Sequence, residues 1–128
     1  MFCALMQYSK KILVVDDQPE VANQIASYVR ALGHMPIVVN SVEEALSNFD
    51  PNLYGLIISD VIMPGKNGFD LVRFIKNEHP QIPVALISGY FDKQMMDLQR
   101  VFNIDQIYRK PVFLKTVKKI LDSALTPG

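Results

Sequence analysis

One cysteine, Cys3, is all the chain contains, so an intramolecular disulfide and a multi-cysteine zinc site are both excluded. No apolar run approaches the ~20 residues of a membrane-spanning helix. Residues 1–9 lack both the basic start and the long apolar stretch of a secretory signal. Excess charge of either sign is missing too, because 13 Lys and Arg balance 13 Asp and Glu. A sequence-blind electrostatic grip on nucleic acid or anionic lipid is therefore disfavoured. What is present is apolar: 49% of the 128 residues are hydrophobic and 20% charged. That is too apolar for disorder and short enough for one core. A soluble cytoplasmic α/β or all-α domain is expected.

Periodicity chooses between the two. Short β-rich apolar runs occur at 12–15, 35–39, 53–59, 82–87 and 105–108. Stretches with helical spacing alternate with them. Val21, Ile25, Tyr28, Val29 and Leu32 share one face, with Pro19 near the start and Gly33 past the end. Ser41-Val42-Glu43-Glu44 reads as a capping box before Ala45, Leu46 and Phe49. Leu71, Val72, Phe74 and Ile75 follow Asn67-Gly68, and that helix should stop before Pro80. A fourth helix is expected over 92–102 with Met95, Met96, Leu98 and Val101, and a fifth after Pro111 with Leu114, Val117, Ile120, Leu121 and Ala124. Strands as uniformly apolar as Gly55-Leu56-Ile57-Ile58 want cover on both faces, which means a parallel sheet between helices. Right-handed crossovers then give a doubly wound (βα)5 three-layer sandwich of flavodoxin-like type, with strand order 2-1-3-4-5.

In such sheets ligands bind beyond the carboxyl ends of the strands, where the order reverses. Strand 1 ends in Asp16-Asp17, strand 3 in Asp60, strand 4 in Ser88 and strand 5 in Arg109-Lys110-Pro111. Asn40, at the end of strand 2, falls outside this set. Three carboxylates against one ammonium leave two negative charges without a partner, which like charges at close range do not tolerate. A hard dication with few protein ligands restores the balance, and Mg²⁺ suits that better than a caged Ca²⁺. Mg²⁺ beside a lysine is also what phosphoryl transfer requires, and a neighbouring carboxylate can serve as nucleophile.

Asp16-Asp17, Asp60 within Asp60-Val61-Ile62-Met63-Pro64-Gly65-Lys66-Asn67-Gly68, Ser88-Gly89 and Lys110-Pro111 resemble, in order and spacing, the receiver domain of two-component response regulators. The resemblance covers roughly residues 10–125 and implies a receiver over 10–126 behind a poorly ordered extension at 1–9. It makes Asp60 the phosphoacceptor. Asp17, Asp60 and the backbone carbonyl of Ile62 would be protein ligands of Mg²⁺, with Asp16 holding a metal-bound water or completing the acidic pocket. Ser88 and Lys110 would each meet a phosphoryl oxygen, and the Lys110-Pro111 peptide would be cis, which an X-Pro bond adopts at small cost. The implied partners are a sensor histidine kinase or phosphotransfer protein, and a downstream protein or effector reached through the helix 4–strand 5–helix 5 face, with a homodimer as a further possibility. Neither nucleic acid nor membrane is an expected direct partner. Such a domain is a switch that catalyses only its own phosphorylation and dephosphorylation.

Departures from the family pattern carry their own expectations. Three residues before Lys110 the family commonly has an aromatic ring that swings inward; here the residue is Ile107. Tyr108 lies next door, and strand alternation sends it to the opposite face. Ile62 and Tyr90 flank the phosphoryl position without an ionisable group near neutral pH, which predicts a comparatively long-lived phosphoryl group. Arg100, Arg109, Lys115, Lys118 and Lys119 give the expected output region a basic character. No effector motif follows Leu125, leaving a stand-alone receiver or one cut from a larger protein. Two rivals stand beside this reading. A phosphatase with an aspartyl nucleophile wants a second acid two residues on, where Gln18 and Pro19 stand. A receiver-like binding module that is never phosphorylated is the other. His34, His79 and Cys3 receive no role.

Overall fold

Five strands and five helices alternate in a computed structural model that describes residues 10–89, 93–104 and 106–125. They are β1 (Lys11–Val15), α1 (Pro19–Ala31), β2 (Pro36–Val39), α2 (Val42–Leu46), β3 (Tyr54–Asp60), α3 (Gly68–Glu78), β4 (Val84–Ser88), α4 (Lys93–Val101), β5 (Gln106–Arg109) and α5 (Leu114–Leu125). The sheet is parallel throughout, in the order β2-β1-β3-β4-β5. This is the expected doubly wound sandwich. The expected extension at 1–9 and Tyr90 lie outside the described residues.

The strands read as continuous apolar runs because each face of the sheet has its own helical cover. Ile12, Val14, Leu56, Ile58, Ala85 and Ile87 point to one side and pack with α1 and α5 through Ile25, Val29, Val117 and Ile120. Leu13, Val15 and Ile57 point to the other side, toward Val42 and Ala45 of α2 and Leu71 and Ile75 of α3. Farther along that side Leu86 meets Phe69, Val72 and Met95. Met96 and Val101 of α4 stay outside, with Val101 75% exposed.

Local chemistry sets the helix ends. Pro19 opens α1, where its missing N–H costs nothing. Beyond its far end Gly33 adopts φ 91°, with Gly33 N–H donating to Arg30 O and His34 N–H to Val29 O. This is a Schellman closure, a left-handed turn that glycine makes without penalty. Asn67 caps α3: its side chain accepts from Phe69 and Asp70 N–H, while Asp70 accepts from Asn67 N–H. Ser41 caps α2 by accepting from Glu44 N–H. His79 ends α3 against the rings of Phe49 and Phe74.

Candidate functional site

Register brings the polar strand ends together. Val15 pairs with Ser59, so the next residues, Asp16 and Asp60, lie side by side at the carboxyl edge. Asp60 pairs with Ile87, which puts Ser88 one step beyond it, and Ser88 pairs with Arg109, which puts Lys110 just past the edge. Lys110 N–H donates to Ser88 O at 2.8 Å, fastening the β5–α5 loop to the end of β4. The peptide between Lys110 and Pro111 is cis, as the family resemblance implied.

The Lys110 ammonium sits between two carboxylates, 3.1 Å from Asp16 Oδ2 and 3.1 Å from Asp60 Oδ2. Asp16 and Asp60 are both buried, while Asp17 reaches toward solvent; carboxylate oxygens of all three lie within 4.8 Å of one another. Asp16 Oδ1 accepts from Gln18 N–H at 2.9 Å, so this loop is closed by Asp16, and Asp17 is not the cap of α1. Asp16 Oδ2 is fully buried and accepts no well-aligned hydrogen bond among the described residues, leaving the ammonium as its compensation.

Burial raises the pKa of Asp60, and the Asp16 charge raises it further, against the opposing pull of Lys110. Burial works against the Lys110 ammonium, but Asp60 and Asp16 outweigh it and raise its pKa. The lysine is thus securely charged while the carboxylates remain under-compensated. A group of hard oxygen donors in this condition fits a hard dication such as Mg²⁺. Asp16, Asp17 and Asp60 are the side chains in position to hold it.

Ser88 ends β4 with no exposure, and Ile62, on the β3–α3 loop, is 55% exposed. Gly68, where α3 begins, is a packing necessity, since a Cβ there would stand 2.6 Å from Asp60 O and 2.9 Å from Val61 Cα. The start of α3 is thereby pressed against the backbone of Asp60. The alternation expected for β5 holds: Ile107 packs on the α3–α4 side, Tyr108 on the α1–α5 side. There the Tyr108 hydroxyl donates to Gln106 Oε1 at 3.0 Å, and Lys119 Nζ lies 5.9 Å from the ring. No aromatic side chain of β5 faces the side on which Ile107 stands.

Two expectations need correction. Asn40 does belong with the site: its side chain Nδ2 donates to Asp16 O at 3.0 Å, because β2 is the hydrogen-bonded neighbour of β1. The basic region is less basic than its composition, since Arg100 pairs with Asp97 at 3.2 Å and Lys118 with Asp122 at 2.7 Å. The capping-box pattern gives Glu43 no contact beyond α2, yet its carboxylate accepts from Lys66 N–H at 3.2 Å, across to the β3–α3 loop. A polar residue ending the strand beside β1 was a usable signal for Asn40; nothing in the local pattern singles out Glu43.

A family profile described as the response regulator receiver domain matches residues 12–122. The autoinducer 1 sensor kinase/phosphatase LuxN of Vibrio harveyi is 32% identical over 117 residues, which is 91% of this chain and 14% of that protein. The response regulator protein PilR of Pseudomonas aeruginosa is 31% identical over 121 residues, covering 91% of this chain and 26% of its own length. The chain therefore spans only a small part of either relative. Among solved structures, a response regulator receiver domain protein from Clostridium thermocellum superposes with a TM-score of 0.83 at 27% identity, covering 91% of this chain and 94% of that one.

Proposed function

The chain belongs to the response regulator receiver domain family, and from that footing we propose that Asp60 accepts a phosphoryl group in a Mg²⁺-dependent transfer and so switches a protein-binding surface. The observation that carries this reading is the single ammonium of Lys110, 3.1 Å from both Asp16 and Asp60, in a carboxylate cluster it cannot neutralise alone. An oxygen of Asp60 attacks phosphorus while the bond to the donor's leaving group breaks. The donor is a phosphohistidine on a kinase or phosphotransfer protein, or a small acyl phosphate. A bound Mg²⁺, held by Asp16, Asp17, Asp60 and the Ile62 carbonyl, would neutralise the charge that gathers on the transferring group. Lys110 is then free to leave its shared position and pair with a phosphoryl oxygen, and the Ser88 hydroxyl donates to another.

Support for a docking donor comes from the groove beside Lys110, lined by Val21, Ile25, Pro111 and Val112 with Glu20 and Gln24 at its rim. Support for an output face on α4, β5 and α5 comes from exposed Met96 and Val101 beside the cations of that region. With Ile107 and Tyr108 placed as they are, the change reaches that face through Ser88 and Lys110 rather than through a swinging ring on β5. Among the described residues no helix is long and apolar enough to cross a membrane.

The test is intact-mass measurement after incubation with acetyl phosphate. One added phosphoryl group is expected with Mg²⁺ and none with a chelator present. No adduct from acetyl phosphate, and none from a phosphorylated kinase, would favour the never-phosphorylated binding module instead. Lifetime offers a second check. Ile62 stands two residues beyond Asp60, and its apolar side chain offers an attacking water no hydrogen bond. Ile62→Asn is expected to speed phosphoryl loss several-fold, read as inorganic phosphate release; an unchanged rate would remove Ile62 from the account.

A further inference from the structure

The loop joining β3 to α3 carries Ile62, whose carbonyl the functional reading assigns to the metal, yet Pro64, Gly65 and Lys66 lie on the surface. Two points fasten it. Met63 is buried beside Val42 and Ala45 of α2 and Leu71 of α3. Three residues on, Lys66 N–H donates to Glu43 Oε2 at 3.2 Å. Gly65 between them turns with φ 78°, and a Cβ there would stand 2.6 Å from the same Glu43 oxygen. The carboxylate is thus laid against the backbone of the turn. The donor is a backbone N–H, so the contact does not depend on a flexible partner side chain.

The same corner also reaches the other acidic loop. Asn40, three residues before Glu43, donates through Nδ2 to Asp16 O at 3.0 Å, and its own N–H donates to Glu44 Oε2 at 3.3 Å. The short run from the end of β2 into the first turn of α2, Asn40 to Glu43, therefore touches both loops that carry the carboxylates: Asp16-Asp17 on one side, and the run from Asp60 to Lys66 on the other. Neither contact is required by the sheet or by a helix cap.

We propose that Glu43, together with Asn40, is a positioning clamp that holds the β3–α3 loop at a set distance from the Asp16-Asp17 loop and so raises the cation affinity of the acidic site. This rests on reading that site as a Mg²⁺ site. A loop ordered before the ion arrives does not have to be ordered by it, and that conformational entropy is kept out of the binding step. Glu43 suits the task because its side chain reaches across to the neighbouring loop and its terminal oxygen accepts from a backbone N–H there.

The test uses Mn²⁺ as the probe, with the free ion followed by electron paramagnetic resonance, on the full chain. Glu43→Ala is expected to weaken binding about three- to tenfold, the net worth of one hydrogen bond, while the metal-free protein still unfolds in one cooperative transition with its thermal midpoint lowered by only about 2–6 °C. Glu43→Gln loses the same charge but keeps an oxygen acceptor, and should stay within about twofold of wild type. Asn40→Ala should weaken binding in the same direction. In the metal-free protein, hydrogen exchange at the Lys66 amide should quicken in Glu43→Ala and not in Glu43→Gln. Wild-type affinity in Glu43→Ala overturns the proposal. So does a Glu43→Gln variant as weak as Glu43→Ala, since charge alone would then explain the loss. A wild type that binds no Mn²⁺ overturns the metal-site reading and the effect on affinity with it, whereas a binding wild type with an indifferent Glu43→Ala overturns the clamp only.

Discussion

Asp60→Asn should carry no added phosphoryl mass after treatment with acetyl phosphate and Mg²⁺, while the wild type gains one group. The amide is nearly the shape of the carboxylate but is too weak a nucleophile to replace it. Asp16 and Asp17 remain in this variant, so labelling that persisted would move the acceptor to one of them. The same variant has an expected effect on stability that runs opposite to the usual aspartate. Burial and the Asp16 charge raise the pKa of Asp60, so the native protein holds this proton more tightly than the unfolded chain does. Ionised Asp60 therefore costs stability, fully so above its native pKa and not at all below its ordinary value of 3.8. In metal-free buffer Asp60→Asn should be the more stable protein at neutral pH, with the advantage fading as pH falls toward that ordinary value. Denaturant melts across pH, with chelator present, read this directly. An advantage that grew on acidification would show that Lys110 outweighs burial and Asp16.

Lys110→Met should lower stability by about 3 kcal/mol at neutral pH without metal, the lower end of what breaking a buried ion pair costs. The lower end applies because the lysine side chain is 18% exposed at the mouth of the site, whereas the Asp16 and Asp60 side chains are 2% and 7% exposed. The thermal midpoint should fall by roughly 10 °C. Two conditions should recover part of the loss: acid, which protonates the abandoned carboxylates, and millimolar Mg²⁺, which replaces the missing positive charge. In the wild type the Lys110 pKa is raised, so its ion pairs contribute in full below the ordinary lysine value of 10.5 and fade only as pH climbs through the raised value. A loss in Lys110→Met indifferent to both acid and Mg²⁺ would point to lost packing of the lysine stem rather than to charge.

The strand and helix order, the two-sided cover of the sheet and the convergence of Asp16, Asp17, Asp60, Ser88 and Lys110 were legible from the residues alone. Each rests on a short-range pattern or a general rule. Alternation of Ile12, Leu13, Val14 and Val15 between two apolar cores follows from the strand period, and a parallel sheet then places every strand's last residue on one edge. The separation of Ile107 from Tyr108 onto opposite faces follows from the same period.

What the tertiary structure decided lies in contacts between segments far apart in the chain. That one ammonium is shared between Asp16 and Asp60 depends on the registers that link β1, β3, β4 and β5. That Val101 stays in solvent depends on how α4 is rotated against Phe69 and Leu86. The bonds from Asn40 to Asp16 and from Lys66 to Glu43 span 24 and 23 residues. No periodicity of the chain records a pairing at that distance. An acid on a five-residue helix reads as solvated surface until the fold brings a backbone N–H to it, and only then does it become part of the site.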